Sequence, residues 1–303
     1  MKRGIALLAG VVLAAGTAAA DSPVDRPEAF EVDRETPPPG QAELGFDGGA
    51  PVGAWAASVQ LGYLDRPFRL HTTEIKIFPV ERRETVALGG AVSLGNRLVL
   101  DARLPLAHQV GDRMQGLGDE RPLDNWVFGD LGLGARVRLS TTTRTSLFVR
   151  GALTVGTGDD RDYAGEARYT MSWMMIGRFT LPHGIVIAAT GGVRFRKAEV
   201  IVADRLLGDE LFGGIGATYA LPALRGLWCD ANRVRVTAEV VGVLGNDVGD
   251  QEGASPAEVR LGMVSEIRPW LLIAGRVGKG VDNHIGSPRL RGMLELVYTT
   301  SAW

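Results

Sequence analysis

In this 303-residue sequence, the side chains that could bind or react with other molecules are mainly arginines and acids. They occupy alternate positions of apolar runs. In the stretch DLGLGARVRLSTTTRTSLFVRGALTVG, residues 130–156, Leu131 and Leu133 share one parity while Arg136 and Arg138 share the other. Successive side chains of a β-strand point to opposite faces, so this spacing predicts strands with one apolar and one charged face. Guanidinium groups stay protonated at any working pH, so we expect them to attract anions rather than transfer protons.

The charged parity recurs along the chain and defines a candidate interior surface. If its arginines are unpaired, charge selection of anions is expected. The alternative, that they pair with acids on neighbouring strands and close the interior, stays open. Interleaved acids on this parity also include Asp101, Glu166, Glu258 and Glu266. The residues predicted to line the interior are Arg103, Arg136, Arg150, Arg168, Arg178, Arg194, Arg235, Glu239, Arg260, Arg276, Arg291 and Glu295.

Enzymatic constellations are not evident in the sequence. His284 is followed by Ile285 and Gly286 before Ser287, so it lacks the His-x-Ser spacing of outer-membrane phospholipases. The stretch 282–284, Asp-Asn-His, faintly resembles the Asp–His pair of omptin proteases, but a solvated loop is the favoured interpretation. No two histidines have metal-ligand spacing. We therefore predict no enzyme activity, no catalytic or metal-binding residues and no cofactor. The histidines are His71, His108, His183 and His284.

The N-terminus has the pattern of a secretory signal peptide over residues 1–20. Lys2 and Arg3 precede a short apolar run, and three alanines end at Ala20. Residues 21–52 are acidic and proline-rich, and we expect a loosely ordered periplasmic leader that could enter and plug a positively charged interior. The single cysteine, Cys229, excludes an internal disulfide and is expected to be inert.

No other stretch offers about 18 consecutive apolar residues, so a membrane-embedded form would have to be a β-barrel. The alternation predicts about twelve strands between residues 53 and 298, followed by a short tail at 299–303. Mostly short links follow the even strands and long polar links follow the odd ones, as in outer-membrane barrels; the longer link at 221–232 is the exception. The expected strands are 53–64, 83–94, 97–108, 127–139, 145–156, 166–181, 185–197, 209–221, 232–244, 257–267, 270–279 and 289–298.

The apolar parity is expected to face lipid. Side chains fill a barrel interior only up to about eight strands, so an inward apolar belt in a twelve-stranded barrel would need a large ligand or leave a void. The predicted fold is therefore an all-β, transmembrane, antiparallel up-and-down β-barrel; a secreted β-sandwich is the alternative. Aromatic residues near both ends of the strands support the barrel, because two aromatic girdles mark the membrane interfaces. They are Phe179, Tyr219, Trp270 and Tyr298 at one end, and Tyr63, Trp126, Tyr169 and Phe195 at the other.

The chain resembles the barrel domain that precedes an OmpA-type peptidoglycan-binding domain in some Gram-negative outer-membrane proteins. The resemblance is carried by RLVLDARLPLAHQ, FGDLGLGARVRL, LTVGTGD and SPRLRGMLELVY. No peptidoglycan-binding domain follows here, so anchoring to the cell wall is not expected. The last strand ends on the aromatic Tyr298, which is similar to the signal by which the barrel-assembly machinery recognises its clients.

Two functions follow from this interpretation. The first is a pore or passive transporter with an arginine-rich lumen, and the alternative is a structural or adhesive barrel with a closed lumen. Expected partners are outer-membrane lipid and lipopolysaccharide, the assembly machinery and small anionic solutes. A net charge of −2 excludes a strongly basic nucleic-acid binder.

Overall fold

The structure of the chain is a computed structural model that describes residues from Gly53 onward. The predicted signal peptide and leader lie outside the described residues, as do the last three residues of the tail. The described ranges are 53–71, 76–95, 97–112, 122–158, 169–196, 200–202, 205–207, 209–221, 233–245, 256–268, 270–281 and 288–300.

The described residues are almost entirely β-strands. No helix among them is long and apolar enough to cross a membrane. The strands are β1 (Trp55–His71), β2 (Lys76–Ser93), β3 (Leu98–Gly111), β4 (Leu123–Phe128), β5 (Leu131–Thr141), β6 (Thr145–Val155), β7 (Thr170–Thr180), β8 (Ile185–Arg196), β9 (Val200–Val202), β10 (Arg205–Leu207), β11 (Glu210–Ala220), β12 (Arg233–Gly245), β13 (Ala257–Arg268), β14 (Leu271–Gly280) and β15 (Leu290–Thr299).

The main sheet closes on itself. Apart from β4, β9 and β10, each strand pairs antiparallel with the strands that precede and follow it in this sheet, and β1 pairs with both β2 and β15. Strands β4 and β5 together occupy one position beside β3, while β9 and β10 form a separate hairpin. The result is a closed twelve-stranded antiparallel barrel, which confirms the predicted fold class.

Hydrogen bonds also join the two ends of the described barrel. The Trp55 N–H donates to Thr300 Oγ1 at 3.0 Å, and the Thr300 N–H donates to the Trp55 carbonyl at 3.0 Å. The first and last strands therefore meet at the rim of the short turns, where no strand edge is left open between them.

Several boundaries differ from the sequence prediction. The first strand runs on to His71 instead of ending at residue 64, because the pairing of β1 with β2 resumes beyond an irregularity at 65–68. Arg66 there has a φ of 48°, which breaks the simple alternation of faces. The strand expected at 127–139 is interrupted after Phe128, and the loop expected between 197 and 209 contains the β9–β10 hairpin. In each case the irregular segment breaks the period-two pattern on which the prediction depended.

The apolar parity of the strands faces outward. In β5, Leu133, Val137 and Leu139 are 41%, 38% and 49% exposed, whereas Arg136 between them is 5% exposed. At the short-turn end, Trp55 and Trp270 both pack against Tyr298, with ring centroids 5.5 and 5.8 Å apart. The barrel thus presents an apolar outer surface with aromatic residues at its margin, as a lipid-facing barrel requires.

Candidate functional site

The predicted interior residues occupy one face of their strands. All except Arg168, which lies outside the described residues, share the parity of the buried positions in their strands. Arg136, Glu239, Arg260, Arg276 and Arg291 are buried, and the others are half-buried. By strand they are Arg103 on β3, Arg136 on β5, Arg150 on β6, Arg178 on β7, Arg194 on β8, Arg235 and Glu239 on β12, Arg260 on β13, Arg276 on β14, and Arg291 and Glu295 on β15.

One charged group, the β12–β15 group, is centred on Glu258. The Arg291 Nε donates to its two carboxylate oxygens at 2.8 and 3.0 Å, reaching across β14. The Arg260 Nη2 donates to Glu258 Oε2 at 3.2 Å. One carboxylate thus binds two arginines in a buried position, where charge-assisted hydrogen bonds are strong.

Glu239 lies beside this centre, opposite Arg260 in the register of β12 and β13. Its side chain is buried, and neither carboxylate oxygen has a hydrogen-bond partner among the described residues. Arg276 and Arg260 are close enough to attract its negative charge. Buried polar atoms normally bind a protein group or an ordered water, so this carboxylate marks a place where water is expected.

A second charged group, the β3–β11 group, lies on the strands from β3 through β8 to β11. The Arg150 Nη2 donates to Asp101 Oδ1 at 2.6 Å, reaching across β5. Glu210 Oε2 lies 3.4 Å from Arg194 Nη1 and 3.1 Å from Arg196 Nη2. In both groups, acids hold arginines in fixed positions along the inner wall.

Most of the remaining predicted residues lie next to other polar residues of the inner face. The Arg103 Nη2 donates to Gln60 Oε1 at 2.5 Å, and the Arg235 Nη2 donates to Glu266 Oε1 at 2.7 Å. Glu295 pairs in register with Gln60 across β15 and β1. Arginines and polar partners therefore occur on both halves of the interior.

Glycines on the inner face lie beneath these cross-strand contacts. A Cβ built on Gly134 would approach both Asp101 carboxylate oxygens to 2.5 Å and Arg150 Nη2 to 2.6 Å. A Cβ on Gly278 would approach Glu258 Oε1 to 2.2 Å. Side chains from the flanking strands can meet over β5 and β14 only because these positions carry none.

The interior also contains apolar regions. One cluster joins small and apolar residues of β13, β14, β15, β1, β2 and β3 toward the short-turn end, including Val264, Leu272 and Val297. Another joins Phe148 and Phe212 with their neighbours on β7. Arg136 and Arg194 lie over these two rings, 5.8 and 5.7 Å from the centroids. The inner wall is therefore a mixture of charged groups and apolar patches.

The sequence prediction missed some participants. Arg83 is fully buried and donates to Gln109 Oε1, yet neither residue was among the predicted lining residues. Glu210 and Arg196, at the ends of β11 and β8, were also missed. Arg83 stands two residues before Thr85 on the inward parity, so continuing the alternation to the strand end would have found it.

The histidines do not form a catalytic or metal site among the described residues. His108 on β3 has the outward parity. Its Nε2 lies 3.1 Å from Asp124 Oδ1, and its ring packs on Trp126 with the ring centroids 5.1 Å apart. His183 lies in the short 182–184 turn. Within the described ranges, no three His, Cys, Asp or Glu side chains are grouped in a way that would hold a metal ion.

Comparison with solved structures identifies the fold of this chain. The COG4313 outer membrane channel from Pseudomonas putida F1 superposes with a TM-score of 0.57 at 16% identity, covering 86% of this chain and all of that one. The NanC porin superposes with a TM-score of 0.54 at 5% identity, covering 82% of this chain and all of that one. This chain has the fold of an outer-membrane β-barrel.

At these identities the similarity of the barrel to channels and porins establishes the fold and not the activity. No protein-family model and no curated protein sequence matches the chain. The two barrels described above are a channel and a porin, so the association with OmpA-type peptidoglycan-binding domains stays a prediction.

Proposed function

We propose that this chain is a passive pore of the outer membrane that prefers anionic solutes. The observation that carries the proposal is the charge of the inner face. Among the described side chains of the regular strand segments, the buried and half-buried arginines on the buried parity outnumber the buried and half-buried acids two to one. The arginines are Arg83, Arg103, Arg136, Arg138, Arg150, Arg178, Arg194, Arg196, Arg235, Arg260, Arg276 and Arg291; the acids are Asp101, Glu210, Glu239, Glu258, Glu266 and Glu295.

The excess of arginine supports a hydrated interior. Even if each acid neutralises one arginine, a net positive charge remains, and a guanidinium does not lose its proton at any working pH. Burying such charges without water or partners costs several kcal/mol each. A twelve-stranded barrel is also wider than the roughly eight strands whose interior side chains can fill. Water along the inner wall meets both requirements, and a positive inner wall selects anions.

The remaining parts of the proposal concern location. The apolar outer face would contact outer-membrane lipid and lipopolysaccharide, after export by the signal peptide and insertion by the barrel-assembly machinery. The long connections would face outward. A tag inserted in 113–121 should then be labelled on intact cells, whereas a tag at 95–96 should be labelled only after permeabilisation.

Planar-bilayer recording tests the pore directly. In a KCl gradient, the purified protein should conduct and its reversal potential should show a preference for chloride. Replacing Arg150, Arg194 and Arg235 together by Ala should weaken that preference without abolishing the current, because each removes one positive charge from the inner face. Conductance with a preference for potassium would contradict the anion-selective pore.

A closed structural or adhesive barrel is the second candidate, and the burial of the interior favours it. Ala56 and Val297 near the short-turn end, and Phe148 on the opposite wall, are hardly exposed. Deleting residues 21–50 separates two forms of closure. Conductance only after the deletion would identify the acidic leader as a plug, whereas silence of both proteins would replace the pore by the structural barrel.

A further inference from the structure

Two glycines of the inner face lie under ion pairs that join strands two positions apart. Gly134 on β5 pairs in register with Asp101 on β3 and with Ala152 on β6. Asp101 and Arg150 meet over it, with 2.6 Å between Oδ1 and Nη2. Gly278 on β14 lies in the same way beneath the 2.8 Å contact between Glu258 on β13 and Arg291 on β15.

We propose that Gly134 and Gly278 are positioning residues of the pore, which keep each ion pair flat against the wall and out of the lumen. The inference rests on the proposed pore function. Because the middle strand carries no side chain there, the two charged groups cross it close to its backbone. The lumen then keeps its cross-section, and each arginine is held at a fixed place along the wall.

The obstruction at Gly134 is made by the pair itself. All three atoms nearest to an added Cβ, between 2.5 and 2.6 Å away, belong to the Asp101 carboxylate and the Arg150 guanidinium. The sheet backbone blocks movement toward the outside, so the pair can yield only into the lumen or by separating. At Gly278 the Arg260 Cγ is also near, at 3.1 Å, so Gly134 offers the simpler test.

Gly62 on β1 provides a matched control on the same face. A Cβ there would meet Thr85 Cβ at 3.5 Å, which is an ordinary van der Waals contact. Both substitutions place one methyl group on the inner face of a strand. They differ in whether an ion pair lies above the methyl group.

The test compares Gly134→Ala with Gly62→Ala, first in the wild-type protein and then in the Asp101→Ala/Arg150→Ala background. In the wild-type background, Gly134→Ala should lower the single-channel current below that of Gly62→Ala. In the background without the pair, Gly134→Ala should cause no further loss. A loss that persists without the pair, or equal currents for the two alanine variants, would overturn the proposal.

A second measurement does not depend on conductance. It is the temperature at which the folded band is lost in semi-native gels. Gly134→Ala should lower this temperature in the wild-type protein. In the Asp101→Ala/Arg150→Ala background, adding Gly134→Ala should leave the temperature at the value of that background. If the wild-type protein does not conduct, the pore function fails, while this thermal cycle still decides whether the glycine positions the pair. If Gly134→Ala does not fold at all, folding of the triple variant supports the proposal, and failure of the triple variant contradicts it.

Discussion

The two charged groups of the inner face use one arrangement in two different environments. In the β12–β15 group, the Glu258 and Arg291 side chains are 6% and 7% exposed, and the carboxylate also binds Arg260. In the β3–β11 group, the Asp101 and Arg150 side chains are each 18% exposed. Removing one partner of a deeply buried pair leaves an uncompensated buried charge, which lowers the free energy of unfolding strongly. Removing one partner of a pair near water lowers the free energy of unfolding less, because water can solvate the remaining charge. We therefore expect solvent access, more than contact distance, to determine how much each pair contributes to the free energy of unfolding.

Removing Glu258 from the buried β12–β15 group should destabilise the barrel most. Glu258→Ala leaves Arg291 and Arg260 without the carboxylate that both bind, at a cost of about 3–5 kcal/mol in the free energy of unfolding. Urea unfolding of the barrel in lipid vesicles, followed by tryptophan fluorescence, measures this cost. A loss no larger than that of Asp101→Ala would remove the distinction between the two groups.

The next effect separates the inner face from the outer face of one strand. Leu133→Arg on β5 places a charge in the apolar outer surface and should cost about 2–4 kcal/mol near the bilayer midplane. Arg136→Leu on the same strand adds no charge to the lipid face and should cost much less. The yield of folded protein in isolated outer membranes reports the difference, and equal defects would show that the faces are assigned wrongly.

A smaller effect is expected from the half-buried pair. Asp101→Ala removes the carboxylate that Arg150 binds, but water can reach the remaining guanidinium, so the cost should be on the order of 1 kcal/mol. The same unfolding experiment applies, with Gly62→Ala as the reference for a small change on the inner face. If Asp101→Ala lowered the free energy of unfolding as much as Glu258→Ala does, the 18% exposure of Arg150 would not be enough for water to solvate its guanidinium.

The smallest change is expected from raising the salt concentration, which should affect the two charged groups differently. The screening length falls from about 10 Å at 0.1 M to about 3 Å at 1 M ionic strength, and buried pairs are screened much less. The cost of Asp101→Ala should therefore shrink at high KCl, while the cost of Glu258→Ala should change little. Parallel shrinkage of both costs would indicate that water and ions reach both groups equally.

The sequence predicted the fold, and it predicted the face on which the described interior arginines lie, because both depend on a period of two. Alternation places Arg136 and Leu133 on opposite faces whatever strand lies next to them. The partners could not be predicted in this way. The contact of Arg150 with Asp101 depends on the register of three strands and on the missing side chain at Gly134, and neither can be read from one strand alone. The extension of β1 was missed because Arg66 interrupts the alternation.

The hydrogen bonds between Trp55 and Thr300 bring the two ends of the barrel sequence side by side. The first and last strands of the closed sheet are therefore hydrogen-bonded neighbours, and the β1–β15 pair is antiparallel like the other pairs of adjacent strands. A circular permutant that joins residues 54 and 300 by a short linker and opens the chain at the 95–96 turn should form the same barrel. In that permutant β3 would be made first and β2 last, so the order of synthesis could be varied independently of the strand order in the finished wall.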